Sequence, residues 1–170
     1  MEASPASATS ATAAVAASAG VASTDSADIG SKGIQPALAA SGVSKGMRVA
    51  VHMANRPEFA VASFAIAMLG AVMVPVNTFA TEVEREYILR HGDAALLLFQ
   101  RKLLKHDFLA QLLQMFPELA EDNHVPLFNT KVPQLRQVVA LGLDEAHGKV
   151  QAWDAFLARG DAIPDALLDA

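Results

Sequence analysis

Between Phe59 and Val76 the chain carries one polar side chain, Ser63, and this stretch decides most of what the rest can become. An unbroken apolar run of roughly 18 residues sits at the lower limit for a helix that crosses a bilayer. Three features point elsewhere. Gly70 and Pro75 divide the run into a helix-length piece and a strand-length piece. Val72, Val74 and Val76 are β-branched and Pro75 lacks an N–H, which suits the end of a strand rather than a helix interior. Strands buried on both faces are continuously apolar with no lipid involved. The run therefore predicts a buried helix, then a buried strand, in a soluble core.

The flanks extend this reading. Arg48–Met53 is a short apolar strand candidate. Asn55 is placed to cap the next helix, Pro57 falls in its first turn and Glu58 faces the positive end of its dipole. That helix is expected to run to Leu69 and stop at Gly70. Phe59, Ala62, Ser63 and Ile66 take one face and Val61, Phe64, Ala65 and Met68 the other, so burial nearly all round is expected. Such a helix needs more protein around it than a thin two-layer unit offers. Thr81-Glu82-Val83-Glu84 reads as a capping box, with Val83, Tyr87 and Ile88 as the apolar stripe and Arg90-His91-Gly92 as the stop. Ala94–Phe99 is a third strand. This order implies an α/β fold, a parallel sheet with helices on both faces. Val49, Val72–Val76 and Leu96–Leu98 would lie side by side inside it.

Further out the signals are shorter. Gln35–Ser41 reads as a helix ended by Gly42, and Leu103–Phe116 as an amphipathic helix stopped by Pro117. A loop from Glu118 to Arg136 leads to a fourth strand, Gln137–Leu141, and a short helix, Trp153–Leu157. The first 28 residues differ in kind, with Ala, Ser and Thr supplying 20 of them and no aromatic residue. They lack the basic start and apolar middle of a secretory signal, and the first basic residue is Lys32. Residues 1–33 are expected to be a disordered tail, and 34–170 a single α/β unit.

Composition narrows the chemistry. The 170 residues include no cysteine, which removes disulfides, thiolate metal sites and a cysteine nucleophile, and fits a cytoplasmic setting. A net charge of −5 with scattered basic residues carries no footprint for nucleic acid. Gly42-Val43-Ser44-Lys45-Gly46 matches the G-x-S-x-G nucleophile elbow in letters, but that elbow needs a strand before the serine and a helix after it, and here the order is reversed. His52, His91, His106, His124 and His147 show no metal-binding spacing. Glu82, Glu84 and Glu86 open a helix, where carboxylates are favoured anyway. Glu118, Glu121 and Asp122 read as a solvated loop, and Met68, Met73 and Met115 as core filler. No residue is assigned a catalytic, cofactor-binding or metal-binding role.

Several pieces in order resemble the N-terminal part of the adenylate-forming, AMP-binding superfamily, which includes acyl-CoA synthetases. Leu38–Ala50 resembles its "LAALGVKKGDRVAI" entry into the first core strand, and Asn55–Phe59 its "N-x-P-E-F". Met68–Asn77 resembles "K-A-G-A-V-x-V-P-L-N", and Glu84–Leu98 is similar to "E-L-x-Y-I-L-x-x-S-G-A-K-x-L-I". Val132–Val139 and Trp153–Ala158 look like the "P-x-L-R-x-V-V" and "W-x-x-F-L-A" segments of CoA ligases. Met47 departs from the usual Asp, and the opening "T-Y-x-E-L" segment is not recognisable.

The resemblance implies an incomplete N-terminal subdomain of the large domain of such a ligase. The parent reaction joins a carboxylic acid to the α-phosphate of ATP with Mg²⁺, then forms the thioester with CoA. Its "T-S-G-T-T-G-x-P-K-G" phosphate loop does not occur here, and neither G-x-x-x-x-G-K-[ST] nor G-x-G-x-x-G replaces it. The chain alone is therefore expected not to catalyse adenylation, with the remainder of the ligase as its implied partner. A non-catalytic α/β interaction module, or one half of a split ligase, is the alternative.

Overall fold

The computed structural model describes residues 33–122, 125–164 and 168. The expected tail, apart from Gly33, and His124 lie outside them. Helix α1 (Ile34–Ala40) leads through Gly42, at φ +81°, into strand β1 (Arg48–His52). Helix α2 (Pro57–Met68), strand β2 (Val72–Pro75), helix α3 (Glu82–His91) and strand β3 (Leu96–Gln100) follow. A small antiparallel hairpin, β4 (Lys102–Leu103) and β5 (His106–Asp107), precedes helix α4 (Phe108–Met115). Strands β6 (Gln137–Leu141) and β7 (Val150–Ala152) and helix α5 (Trp153–Ala158) complete the unit.

The five long strands form one parallel sheet in the order β2-β1-β3-β6-β7. Val49 pairs with Met73 on one side and Leu96 on the other, so the three expected runs do lie side by side. Alternation of side chains sends them to opposite faces. Val49, Val51, Leu96, Leu98 and Val139 pack under α1, α2 and α5, with Leu38, Ile66 and Phe156. Ala50, Leu97, Phe99, Val138 and Ala140 pack under α3 and α4, with Phe108, Leu112 and Phe116. Burial on both faces is what makes these strands read as continuous apolar runs.

The structure corrects six expectations. Asn55 does not cap α2: the residue before a proline is held extended, so Arg56 (φ −141°, ψ 162°) becomes the N-cap and its guanidinium pairs with Glu58 at 2.7 Å. Helix α2 is not buried all round. Ala62, Ala65 and Ile66 face the sheet, but Phe64 is 70% and Met68 68% exposed, because no layer among the described residues covers that side. Met68 is thus not core filler, whereas Met115 is buried. Strand β2 lies at the sheet edge rather than inside, with Val72 exposed.

The stripe of α3 is turned. Val83 and Tyr87 face solvent, and the helix buries Arg85 and Leu89 instead. The run Leu103–Phe116 is not one helix. Leu104 turns the hairpin at φ +53°, and α4 begins only at Phe108, where the Asp107 carboxylate accepts from the Ala110 N–H at 3.1 Å. Strand β7 was hidden by its shortness, since three residues carry no readable period.

Candidate functional site at the carboxyl edge of the sheet

Ligands of open α/β sheets bind beyond the carboxyl ends of the strands. Here that edge is built from three connections: Met53–Arg56 after β1, Val76–Thr81 after β2, and the hairpin after β3. Gln100, the last residue of β3, ties two of them together. Its Oε1 accepts from the Ala54 N–H at 3.3 Å, and its Nε2 donates to the Lys102 carbonyl at 2.7 Å. Between them lies a cleft of about 600 Å³ lined by Met53, Phe59, Pro75, Phe79, Leu103 and Leu104. Phe79 and Leu104 stand at its rim as two of the most exposed large apolar side chains described. A second cleft, of about 500 Å³, lies across the Asn77–Ala80 turn against Val83 and Tyr87.

The turn has its own bracing. Asn77 Oδ1 accepts from the Phe79 N–H at 2.9 Å, and the Asn77 carbonyl from the Ala80 N–H at 3.0 Å. Beneath it sit two buried polar side chains, His52 at the end of β1 and Arg85 on α3. His52 packs on Phe108, ring centres 4.3 Å apart, and its Nε2 has no hydrogen-bond partner among the described residues. Its pKa is lowered from the ordinary 6.5 to about 4, chiefly by burial and next by the nearby Arg85 charge, while a backbone hydrogen bond with Asn77 acts the other way. The imidazole is therefore neutral at physiological pH. Burial also lowers the pKa of Arg85. Its Nη1 donates to the Ala80 carbonyl at 3.2 Å and its Nη2 to Gln111 Oε1 at 2.7 Å.

Phosphate groups favour helix N-termini, where backbone N–H groups are free and the dipole is positive. Three of the described helices that open at this edge, α2, α3 and α4, have theirs filled, whereas α5 opens directly from β7 without a side-chain cap. Glu58 occupies the first turn of α2, paired with Arg56, and its pKa is lowered by the hydrogen bonds from Arg56 and its own backbone against the opposing effect of burial. On α3 the capping box forms as expected: Thr81 Oγ1 accepts from the Glu84 N–H at 3.3 Å, and Glu84 Oε2 from the Thr81 N–H at 2.7 Å. Asp107 closes α4. These three N-termini do not fit a nucleoside triphosphate.

The other residues weighed in the sequence are dispersed. Glu86 pairs with Lys131 at 3.1 Å, and His91 stacks on Tyr87 at 3.8 Å. His106 lies 6.0 Å from the Phe108 ring, and His147 lines a separate polar cleft with Arg101, Asp144 and Glu145. Ser44 sits in a polar turn before β1, in the wrong setting for a nucleophile elbow. Among the described residues no group of three or more His, Asp or Glu is placed to hold a metal ion. Nor is any described helix long and apolar enough to cross a membrane. Sequence reasoning missed Arg85, Phe79 and Leu104. The positive clue for Arg85 was its leucine counterpart in "E-L-x-Y-I-L"; the other two sit in turns with no such signal.

Comparison with known proteins agrees with this architecture. The model of the AMP-binding enzyme family matches residues 35–156. The crotonobetaine/carnitine–CoA ligase of Salmonella typhi is 37% identical over 86 residues, which is 51% of this chain and 15% of that protein. Its counterpart in Salmonella enteritidis is 36% identical over the same length. The chain thus aligns with only a small part of these relatives. Among solved structures, the anthranilate CoA ligase AuaEII in complex with anthranoyl-AMP superposes with a TM-score of 0.51 at 27% identity, over 64% of this chain and 17% of that one. The acetoacetyl-CoA synthetase of Streptomyces lividans shares the fold, with a TM-score of 0.59 at 22% identity over 81% of this chain and 20% of that one. A family match over most of the described residues, residues 35–156, places this chain in the AMP-binding enzyme family.

Proposed function

We propose that this chain forms the N-terminal α/β layer of an ATP-dependent acyl-CoA ligase and does not adenylate an acid by itself. The parent reaction would take a small carboxylic acid, ATP and Mg²⁺ to an acyl-adenylate and then, with CoA, to the thioester. Adenylation expels pyrophosphate, so backbone N–H groups, a lysine and a cation must cradle developing negative charge. The observation that carries the reading is the lack of a phosphate loop in the sequence, together with the filling of the α2, α3 and α4 N-termini by Glu58, Glu84 and Asp107. The chain's own role is to present the carboxyl-edge cleft and the exposed flank of α2 to the segments that bind nucleotide. The absence of cysteine fits work in a reducing cytoplasm.

Two measurements test this. ATP–pyrophosphate exchange by the chain alone, across a panel of carboxylic acids, should be undetectable, and measurable exchange overturns the claim of inactivity. Replacing the aligned 86-residue segment of the Salmonella typhi ligase with this chain's own should leave a folded ligase that still forms acyl-CoA. A chimera that folds but forms no adenylate overturns the assignment of this layer.

A further inference from the structure

We propose that Arg85 is a positioning residue: from inside α3 it holds the Asn77–Ala80 turn, the lip shared by the two clefts at the carboxyl edge. The side chain is 4% exposed, yet no carboxylate pairs with it among the described residues. Its Nε finds no hydrogen-bond partner among the described residues. Its Cζ lies over the Phe108 ring, 5.5 Å from the centroid. Glu82, one turn earlier, steadies the charge only through space. Removing a cation from water with no anion in contact is unfavourable, and an apolar side chain of similar size would cost the fold less. Leu89 already packs α3 into the core, so that packing does not call for a charge.

What arginine adds is reach. Through Nη1 it bonds the Ala80 carbonyl, and through Nη2 it bonds Gln111 on α4, so the end of the turn is fastened to two helices at once. The start of the turn is held by the hydrogen bond between His52 and the Asn77 backbone. Between these anchors Phe79 projects with 80% of its surface exposed, and it lines both clefts. Fixing Asn77 and Ala80 from beneath fixes where that ring stands, and with it the width of each cleft.

The test uses the full chain, with Arg85→Leu and Arg85→Met, each read by native-state amide exchange and by thermal unfolding. Either variant should keep or raise the thermal midpoint while speeding exchange at the Phe79 and Ala80 amides by about tenfold, the worth of one charge-assisted hydrogen bond. Amides of β1 and β3 should be unchanged. A purely structural arginine would lower the midpoint and speed exchange throughout the sheet, and that result overturns the proposal. Unchanged exchange at Phe79 and Ala80 overturns it too, as does loss of the fold in both variants. None of these readouts needs a substrate, so the outcome does not depend on the ligase reading.

Discussion

Acid should weaken this fold through His52 before most carboxylates begin to protonate. The imidazole is 1% exposed and its pKa lies near 4, against an ordinary 6.5 once the chain unfolds. A depressed histidine pKa means that the unfolded state takes up the proton first, so stability is complete above pH 6.5 and drains as pH falls towards 4. The full difference of about 2.5 pKa units corresponds to about 3 kcal/mol. Between pH 7.5 and 5.0, the part reached is about 2 kcal/mol by the same linkage. With a urea dependence of about 1.5 kcal/mol per M, the unfolding midpoint should fall by roughly 1.3 M over that interval. His52→Leu removes the titrating group and keeps an apolar contact for Phe108, so its midpoint should fall far less over the same range. Urea unfolding followed by circular dichroism at both pH values, for both proteins, measures the difference. Parallel pH dependences in the wild type and the variant would refute the argument, because the proton would then be binding elsewhere.

Two further substitutions probe the packing. Phe64→Glu combined with Met68→Lys should leave the thermal midpoint within a few degrees and reduce self-association in size-exclusion chromatography, since both side chains project into solvent. A large fall in the midpoint would mean that this face of α2 packs within the chain. Gly148→Ala should lower stability by about 2 kcal/mol or more. The position has φ +56°, and an added Cβ would collide with the Leu119 carbonyl. Calorimetry should record a fall of roughly 6 °C, and an unchanged midpoint would mean that the loop before β7 rearranges freely.

The sheet was readable because its central strands are buried twice. Val49–Val51 and Leu96–Leu98 touch apolar layers above and below, so every position was selected for the same property and the runs stand out in the sequence. Local punctuation did as well: the capping box at Thr81 and Glu84, and the glycine stops at Gly42 and Gly70, depend only on neighbours in the chain. Sequence and structure part where a second constraint outweighs the first. The first turn of α2 was misplaced by one residue because the constraint from Pro57 on Arg56 outweighs the capping preference of Asn55. Leu103–Phe116 carries a helical period, but Leu104 is turned outward by the hairpin that links β3 to α4, and a period does not reveal such a break.

Helix α3 shows why the candidate site was less legible than the sheet. Its apolar residues Val83 and Tyr87 and its cation Arg85 lie on different faces, and a rule that buries the apolar stripe places all three wrongly. The inversion has one physical source. Val83 and Tyr87 flank the second cleft beside edge strand β2, where nothing in the described residues covers them. Arg85 faces Phe108, whose ring also packs against His52. Folding of this unit alone would favour the opposite arrangement, with the charge in water and the tyrosine inside. Apolar exposure at the rim and buried charge beneath it lie on one helix, at the edge where α/β sheets bind their ligands. A sequence that departs from its own folding preference at one such place is expected to do so for function rather than for stability.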